Sequence, residues 1–166
     1  MGYTHYWYKV RELSHDDFDS FVRDFNKVLP NFRSLLDQSG DCPLEISKDF
    51  VYFNGIEEQA HETFHFERVI EKRDFEQFEN NETKTHLFDF TKTAQKPYDI
   101  AVCSALIIAK KHFGSDIHIS SDGDNDEWTE SKALCQKILG YGNSLNMGNY
   151  SKDLEASGEF VTILTN

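Results

Sequence analysis

Apolar positions along the chain switch between a period of two and a period near 3.6. His5-Tyr6-Trp7-Tyr8-Lys9-Val10 is aromatic and β-branched and gives way to Ser14-His15-Asp16-Asp17, so a strand leads into a helix with Ser14 as its N-cap. Phe18, Phe21, Val22, Phe25, Val28 and Leu29 then form an amphipathic stripe that ends or kinks at Pro30 and resumes through Phe32, Leu35 and Leu36 before Gly40. Leu44-Glu45-Ile46-Ser47 and Phe50-Val51-Tyr52-Phe53 flank Lys48-Asp49 and predict a hairpin, closed at its far end by Asn54-Gly55. Residues 62–69 alternate with period two, and His86-Leu87-Phe88-Asp89-Phe90 predicts another strand. Pro97 opens a run over residues 100–109 that is apolar almost all round the helical wheel, with Lys110 and Lys111 at its end and Gly114 as its stop. Ile117-His118-Ile119 is a short strand, and Trp128, Leu134, Cys135, Ile138 and Leu139 outline a third helix ending at Gly140. Residues 71–84 and 141–157 are charged or rich in Gly, Asn and Ser and predict loops, with a last strand at residues 160–164.

That order predicts an α+β (mixed α/β) fold: a single-layer, largely antiparallel sheet of five to six strands packed with three helices, in one compact domain over residues 1–166. Composition supports this size of core, since 14 Phe, 7 Tyr and 2 Trp supply large side chains although only 39% of residues are apolar. Lys and Arg number 17 against 29 Asp and Glu, a formal charge of −12. This balance argues against direct nucleic-acid binding and against anionic membranes, so any recognition of an anion must be local. No apolar run reaches the roughly 18 residues of a spanning helix, and Met1-Gly2-Tyr3-Thr4-His5-Tyr6 lacks both a signal-peptide layout and the Ser or Thr of a myristoylation signal. Cys42, Cys103 and Cys135 are odd in number and widely spaced, which argues against a disulfide framework or CxxC site and makes a reducing cytoplasm the expected compartment.

Four segments carry candidate chemistry. His61-Glu62-Thr63-Phe64-His65 spells HExxH, which holds zinc when a helix puts both His on one face. Here the surrounding period of two predicts a strand, where the two His stand about 13 Å apart. Asp122-Gly123-Asp124-Asn125-Asp126-Glu127 resembles the start of a calcium loop, but Glu127 occupies the place of the required Gly and Ala133 that of the bidentate Glu. An acidic turn with Asp124 and Asp126 capping the third helix is the better reading. Thr91-Lys92-Thr93-Ala94-Gln95-Lys96-Pro97-Tyr98-Asp99 places two ammonium groups and two hydroxyls at the start of the buried helix, a setting for an anion, and equally a solvated turn. Tyr3-Thr4-His5-Tyr6-Trp7-Tyr8 offers rings that fill core or stack a planar ligand. Cys103 and Cys135 lie on apolar helix faces and read as inert.

The opening Met-Gly-Tyr-Thr-His-Tyr-Trp, Phe53-Asn54-Gly55, His61-Glu62-Thr63-Phe64 with Arg68, the block from Phe90 through Lys92-Thr93 and Lys96-Pro97-Tyr98-Asp99, and Ser121-Asp122-Gly123 with Trp128 resemble a widespread uncharacterised family of small bacterial and phage proteins that begin MGYTHYW. The likeness runs from Gly2 to about Gly140. The family usually has Cys in place of Thr91 and an apolar residue in place of His65, which weakens the zinc reading further. The resemblance implies that the shared polar motifs meet in one ligand pocket, drawn from His5, Tyr6, Trp7, Asn54, Glu62, Arg68, Lys92, Thr93, Lys96, Tyr98 and Asp122.

That mixture of cations, amide and rings suits a nucleotide-derived ligand: Lys and Arg for phosphate, Asn54 and Asp122 for ribose or base, and Tyr6 or Trp7 for stacking. The expected function is capture of a phosphate- or ribose-containing small molecule. In a phage-encoded chain, sequestering a nucleotide immune signal of the host is a use for such a binder. The alternative is a hydrolase or transferase on a nucleotide-type substrate, metal-assisted at Asp122 or with His5 or His61 as acid or base; a third reading is an acidic mimic of nucleic acid. No resident metal, no cofactor and no membrane partner is expected, and an oligomer is compatible with the sequence.

Overall fold

The computed structural model describes residues 2–71, 86–146 and 163–164. Three helices form where the 3.6-residue stripe runs. Helix α1 (His15–Val28) starts at Ser14, whose hydroxyl accepts the Asp17 amide at 3.1 Å, and its acidic first turn complements the helix dipole. Phe18, Phe21, Phe25 and Val28 face inward, and Pro30 ends the helix in two short 3₁₀ turns that carry Phe32 and Leu36 into the core. Helix α2 (Asp99–Phe113) is buried along nearly its whole length, as an unbroken apolar run requires. From its last turn Lys110 Nζ reaches beyond the helix, donating to Gly114 O at 2.9 Å and to Ile117 O at 2.8 Å, which ties the turn to the strand that begins at Ile117. Helix α3 (Thr129–Leu139) ends at Gly140, which takes the left-handed conformation at φ +83°. Among the described residues no helix is long and apolar enough to cross a membrane.

The fold is α+β, as the element order predicts, with most of the described strands shared between two three-stranded antiparallel sheets. β1 (Thr4–Val10) lies between β5 (His86–Lys92) and β6 (Ile117–Ser121), with His5 opposite Thr91 and Ser121, and Tyr6 opposite Phe90 and Ser120. β2 (Glu45–Ile46), β3 (Phe50–Phe53) and β4 (Phe64–Glu67) form the second sheet, and β7 (Leu145–Asn146) pairs with β8 (Ile163–Leu164). Main-chain bonds tie the sheets: Leu13 N to Arg68 O at 2.9 Å, Ile70 N to Arg11 O at 2.8 Å and Glu62 N to Lys92 O at 3.1 Å. Between sheets and helices sits an aromatic core. Phe66 packs on Trp7, Phe18, Phe21 and Phe113, and Phe25 stacks on Phe53 with ring centroids 5.7 Å apart.

Three local expectations change. Asn54-Gly55 is not a two-residue hairpin turn; it opens a loop to β4 that contains a 3₁₀ turn at Glu57–Gln59. The Asn54 side chain organises that loop, accepting Gly55 N at 2.7 Å and His61 N at 3.0 Å and donating to His61 O at 2.9 Å. Asp124 and Asp126 do not cap α3, which begins without a side-chain cap at Trp128; Asp124 instead accepts the Asp126 amide within the preceding turn. The strand expected over residues 62–69 is confined to Phe64–Glu67, because Glu62 is drawn toward β5 by its bond to Lys92. The expected loop at 71–84 and most of the last strand lie outside the described residues.

A Cβ at Gly55 would stand 2.3 Å from the Gln59 carbonyl oxygen and 3.0 Å from the Tyr98 ring. Gly55→Ala is therefore expected to lower stability by about 1–3 kcal/mol, read from urea unfolding, since backbone cannot move aside as a flexible side chain can.

A polar network joins α1, α2 and the segment just after α3 on the far side of the core. Asp24 on α1 accepts from Tyr141 Oη at 2.7 Å and pairs with His112 Nε2 on α2 at 2.7 Å, with Lys27 Nζ at 3.6 Å. Burial pushes the Asp24 carboxyl up, but the bonds from Tyr141 and His112 and the charges of His112 and Lys27 outweigh it and hold the group below its ordinary value of 3.8. A depressed carboxyl stabilises the fold above the ordinary carboxylate range and loses that contribution as pH falls through its folded value. Asp24→Asn is accordingly expected to cost about 1–3 kcal/mol at pH 7. Its deficit against wild type in urea melts should shrink below about pH 4.

Candidate functional site

Where β1, β6 and the start of α2 converge, the chain buries a polar cluster. His5 points to the inner side of the sheet and is fully buried; its neighbours Tyr3 and Trp128 meet it edge-on, each with ring centroids 5.1 Å away. Ser121 Oγ accepts Gly123 N at 2.9 Å and Trp128 Nε1 at 3.3 Å, which uses both lone pairs and leaves its hydrogen for His5 Nδ1 at 2.8 Å. This assignment from the hydrogen-bond network puts the ring hydrogen on Nε2, which donates to Asp99 Oδ1 at 2.7 Å. Thr93 Oγ1 donates to the same oxygen. Cys103, one turn along α2, places its sulfur 3.5 Å from His5 Nε2 and 3.6 Å from Asp99 Oδ2.

Burial pushes the Asp99 carboxyl up, yet the bonds from His5, Thr93 and Cys103 prevail and keep it below 3.8. The Cys103 thiol is driven well up by burial and then by the Asp99 carboxylate. Such a thiol does not serve as a nucleophile: it is buried, it holds its proton, and the Nε2 hydrogen of its imidazole neighbour is directed at Asp99. Among the described residues this is also the one place where three metal-ligating side chains converge, their ligand atoms lying within 4.8 Å of one another.

The same loop holds a second network around the Lys92 main chain. Glu62 Oε2 accepts Lys92 N at 2.8 Å, and Lys92 O receives His61 Nδ1 at 2.9 Å and Tyr98 Oη at 3.4 Å. Tyr98 is fully buried and also donates to Glu62 O at 2.6 Å, so burial pushes its phenol up. Lys96 Nζ reaches Glu58 O at 3.2 Å. His65, the second His of HExxH, lies apart on the exposed side of β4 beside Glu67 at 3.2 Å, while His61 is held on Lys92.

On the outer face of β5-β1-β6 the alternation exposes rings. Tyr6-Trp7-Tyr8 are three consecutive aromatics, so a strand must present rings on both sides. Trp7 goes to the core at 1% exposure, and Tyr6 and Tyr8 face out against Phe88, with centroids 6.1 and 5.1 Å away. Phe88 and Phe90 are 43% and 45% exposed, and the register puts Lys92 on their side of β5. The Tyr6 hydroxyl donates to Asp122 Oδ1 at 3.1 Å, and Asp122 Oδ2 accepts the Thr4 amide at 3.0 Å.

The eleven residues expected to share one pocket fall in several places. His5 and Thr93 belong to the buried cluster; Asn54, Glu62, Tyr98 and Lys96 hold the loops beside it. Tyr6, Lys92 and Asp122 border the outer face, and Trp7 is core. Arg68 sits beyond the far end of β4, bonded to Asp49 at 2.9 Å and Glu12 at 3.3 Å. Sequence reasoning missed Asp99, Cys103 and Ser121 as one cluster, and Phe88 with Phe90 as a surface. For the first, the signal available was the polar Asp99 at the head of an apolar helix; for the second, it was the aromatic triplet in β1. Comparison of the chain with protein-family models, with curated proteins and with solved structures found no match.

Proposed function

We propose that the protein captures a nucleotide-derived small molecule on the outer face of the β5-β1-β6 sheet, with the base stacked on Phe88 and Phe90 and an anionic group near Lys92. The observation that carries this reading is the exposure of those two large rings, 43% and 45%, beside Tyr6 and Tyr8. Base stacking on such a platform contributes about 1–3 kcal/mol per base and tolerates any base, because every base has a π-face. A formal charge of −12 repels a polyanion, which favours a ligand with few phosphates over a nucleic-acid strand. Capture is favoured over turnover by the alternation of β1, which puts His5, with Asp99 and Cys103, on the opposite side of the sheet from the rings.

Calorimetric titration with adenosine, adenosine monophosphate and ribose 5-phosphate tests the proposal. Adenosine and its monophosphate should bind and ribose 5-phosphate should not, and Lys92→Ala should weaken the monophosphate alone. No heat from either adenosine compound at millimolar concentration would sink the reading.

A further inference from the structure

We infer that His5, Asp99 and Cys103 form a binding site for a divalent cation of the zinc class. The three atoms are an imidazole nitrogen, a carboxylate oxygen and a sulfur, the donor mixture that zinc and cobalt accept, and they come from β1 and from two positions one turn apart on α2. Their spacing is close to what one ion would impose. Bond lengths of about 2.0–2.2 Å to N and O and about 2.3 Å to S, at tetrahedral angles, separate sulfur from either partner by about 3.6 Å. Cys103 Sγ stands 3.5 Å from His5 Nε2 and 3.6 Å from Asp99 Oδ2. His5 Nε2 meets the other carboxylate oxygen, Oδ1, at 2.7 Å as a hydrogen bond, so the Asp99 side chain has to turn until one oxygen stands about 3.4 Å from the imidazole nitrogen and about 3.6 Å from the sulfur. Asp99 is the member open to solvent, with its side chain 16% exposed against 0% for His5, and it gives an ion its way in.

Charge and protons balance at such a site. A thiolate, a carboxylate and an uncharged imidazole neutralise a dication, and binding releases one proton from Cys103 while the His5 ring hydrogen moves from Nε2 to Nδ1. The surroundings accommodate that shift. Nδ1–H then donates to Ser121 Oγ in place of the long 3.3 Å bond from Trp128 Nε1, and the serine's own hydrogen turns to the Tyr3 hydroxyl, a buried group beside Ser121 that makes no well-formed hydrogen bond of its own. Burial of Cys103 disfavours a thiolate without a cation, and a bound dication reverses that preference. The site is independent of the ring surface on the outer face, so the failure of either proposal leaves the other standing.

The test uses the full chain, freed of metal with a chelator and titrated with zinc and with cobalt(II). One ion per chain is expected, with a thiolate-to-cobalt charge-transfer band in the near ultraviolet. Cys103→Ala should remove the band and weaken binding by more than about 100-fold, and Ser121→Ala should weaken it about 10–100-fold. Cys42→Ser should retain the band. Should Cys103→Ala fail to fold, X-ray absorption on the zinc-loaded wild type decides: one sulfur at about 2.3 Å among lighter ligands supports the site. Absence of stoichiometric metal, a shell without sulfur, or undiminished binding by a folded Cys103→Ala protein would each overturn it.

Discussion

Trp7→Ala is expected to destabilise the protein by about 3–5 kcal/mol, lowering the melting temperature by about 10 °C or more. Trp7 is 1% exposed in the central strand of its sheet and packs on Phe64 and Phe66 of the other sheet, at centroid distances of 5.5 and 6.0 Å. Phe66 in turn touches Phe18, Phe21 and Phe113, so the cavity would open where both sheets and two helices meet. A ring shared by so many neighbours leaves a hole that small shifts cannot fill, and the cost should sit at the upper end for a large-to-small change. Urea or thermal unfolding with a circular-dichroism readout measures it, and a loss below about 1 kcal/mol would contradict the packing described.

The double change Phe88→Ala with Phe90→Ala is expected to do the opposite: leave stability within about 1 kcal/mol of wild type and strongly weaken ligand capture. Both rings are more than two-fifths exposed, so their removal opens no interior cavity. Stacking worth about 1–3 kcal/mol per base is lost with the rings, and the affinity for adenosine monophosphate should fall by as much as about 100-fold in the same calorimetric titration. A double variant that folds and binds as wild type does would remove the outer face from consideration. Lys92→Ala should have a smaller effect, about 10-fold at low salt and less at 0.15 M, because Lys92 is only half-buried and salt screens its ammonium.

How far the chain declares itself differs between fold and site. The hydrophobic stripe of α1, the all-round apolar α2 and the hairpin around Lys48-Asp49 are legible because each follows from local periodicity and a local cap or turn: Ser14 at Asp17 N, and Ser47 Oγ at the amides of Asp49 and Phe50. The Asn54-Gly55 pair departs from its local signal for a related reason. An Asn-Gly pair satisfies a tight hairpin and an Asn-organised loop equally well, and the choice falls to Gln59 and His61, whose main-chain atoms come back to meet it. HExxH is the opposite case, a good local match undone by its strand. The β4 backbone sends His65 to solvent and leaves His61 on the Lys92 carbonyl.

The aromatic triplet of β1 shows the boundary well. Three consecutive rings on a strand require rings on both faces, which is decided by alternation alone. Which face becomes core depends on where α2 and β4 settle, and that is a matter of packing across the whole molecule. The polar cluster lies further from local reach. His5 is 94 positions from Asp99, 98 from Cys103 and 116 from Ser121, and no spacing rule spans such separations.

By itself, then, the sequence determined the helices, most of the strands, the α+β class and the acidic surface, because periodicity, caps and charge act over a few residues. Only the tertiary structure decided the rest. Antiparallel pairing of β1 with β5 and β6 turned His5 inward and Tyr6 outward, and the docking of α2 set Asp99 and Cys103 against that imidazole. The cluster exists because burial of apolar surface held these distant residues together, leaving their polar atoms to satisfy one another.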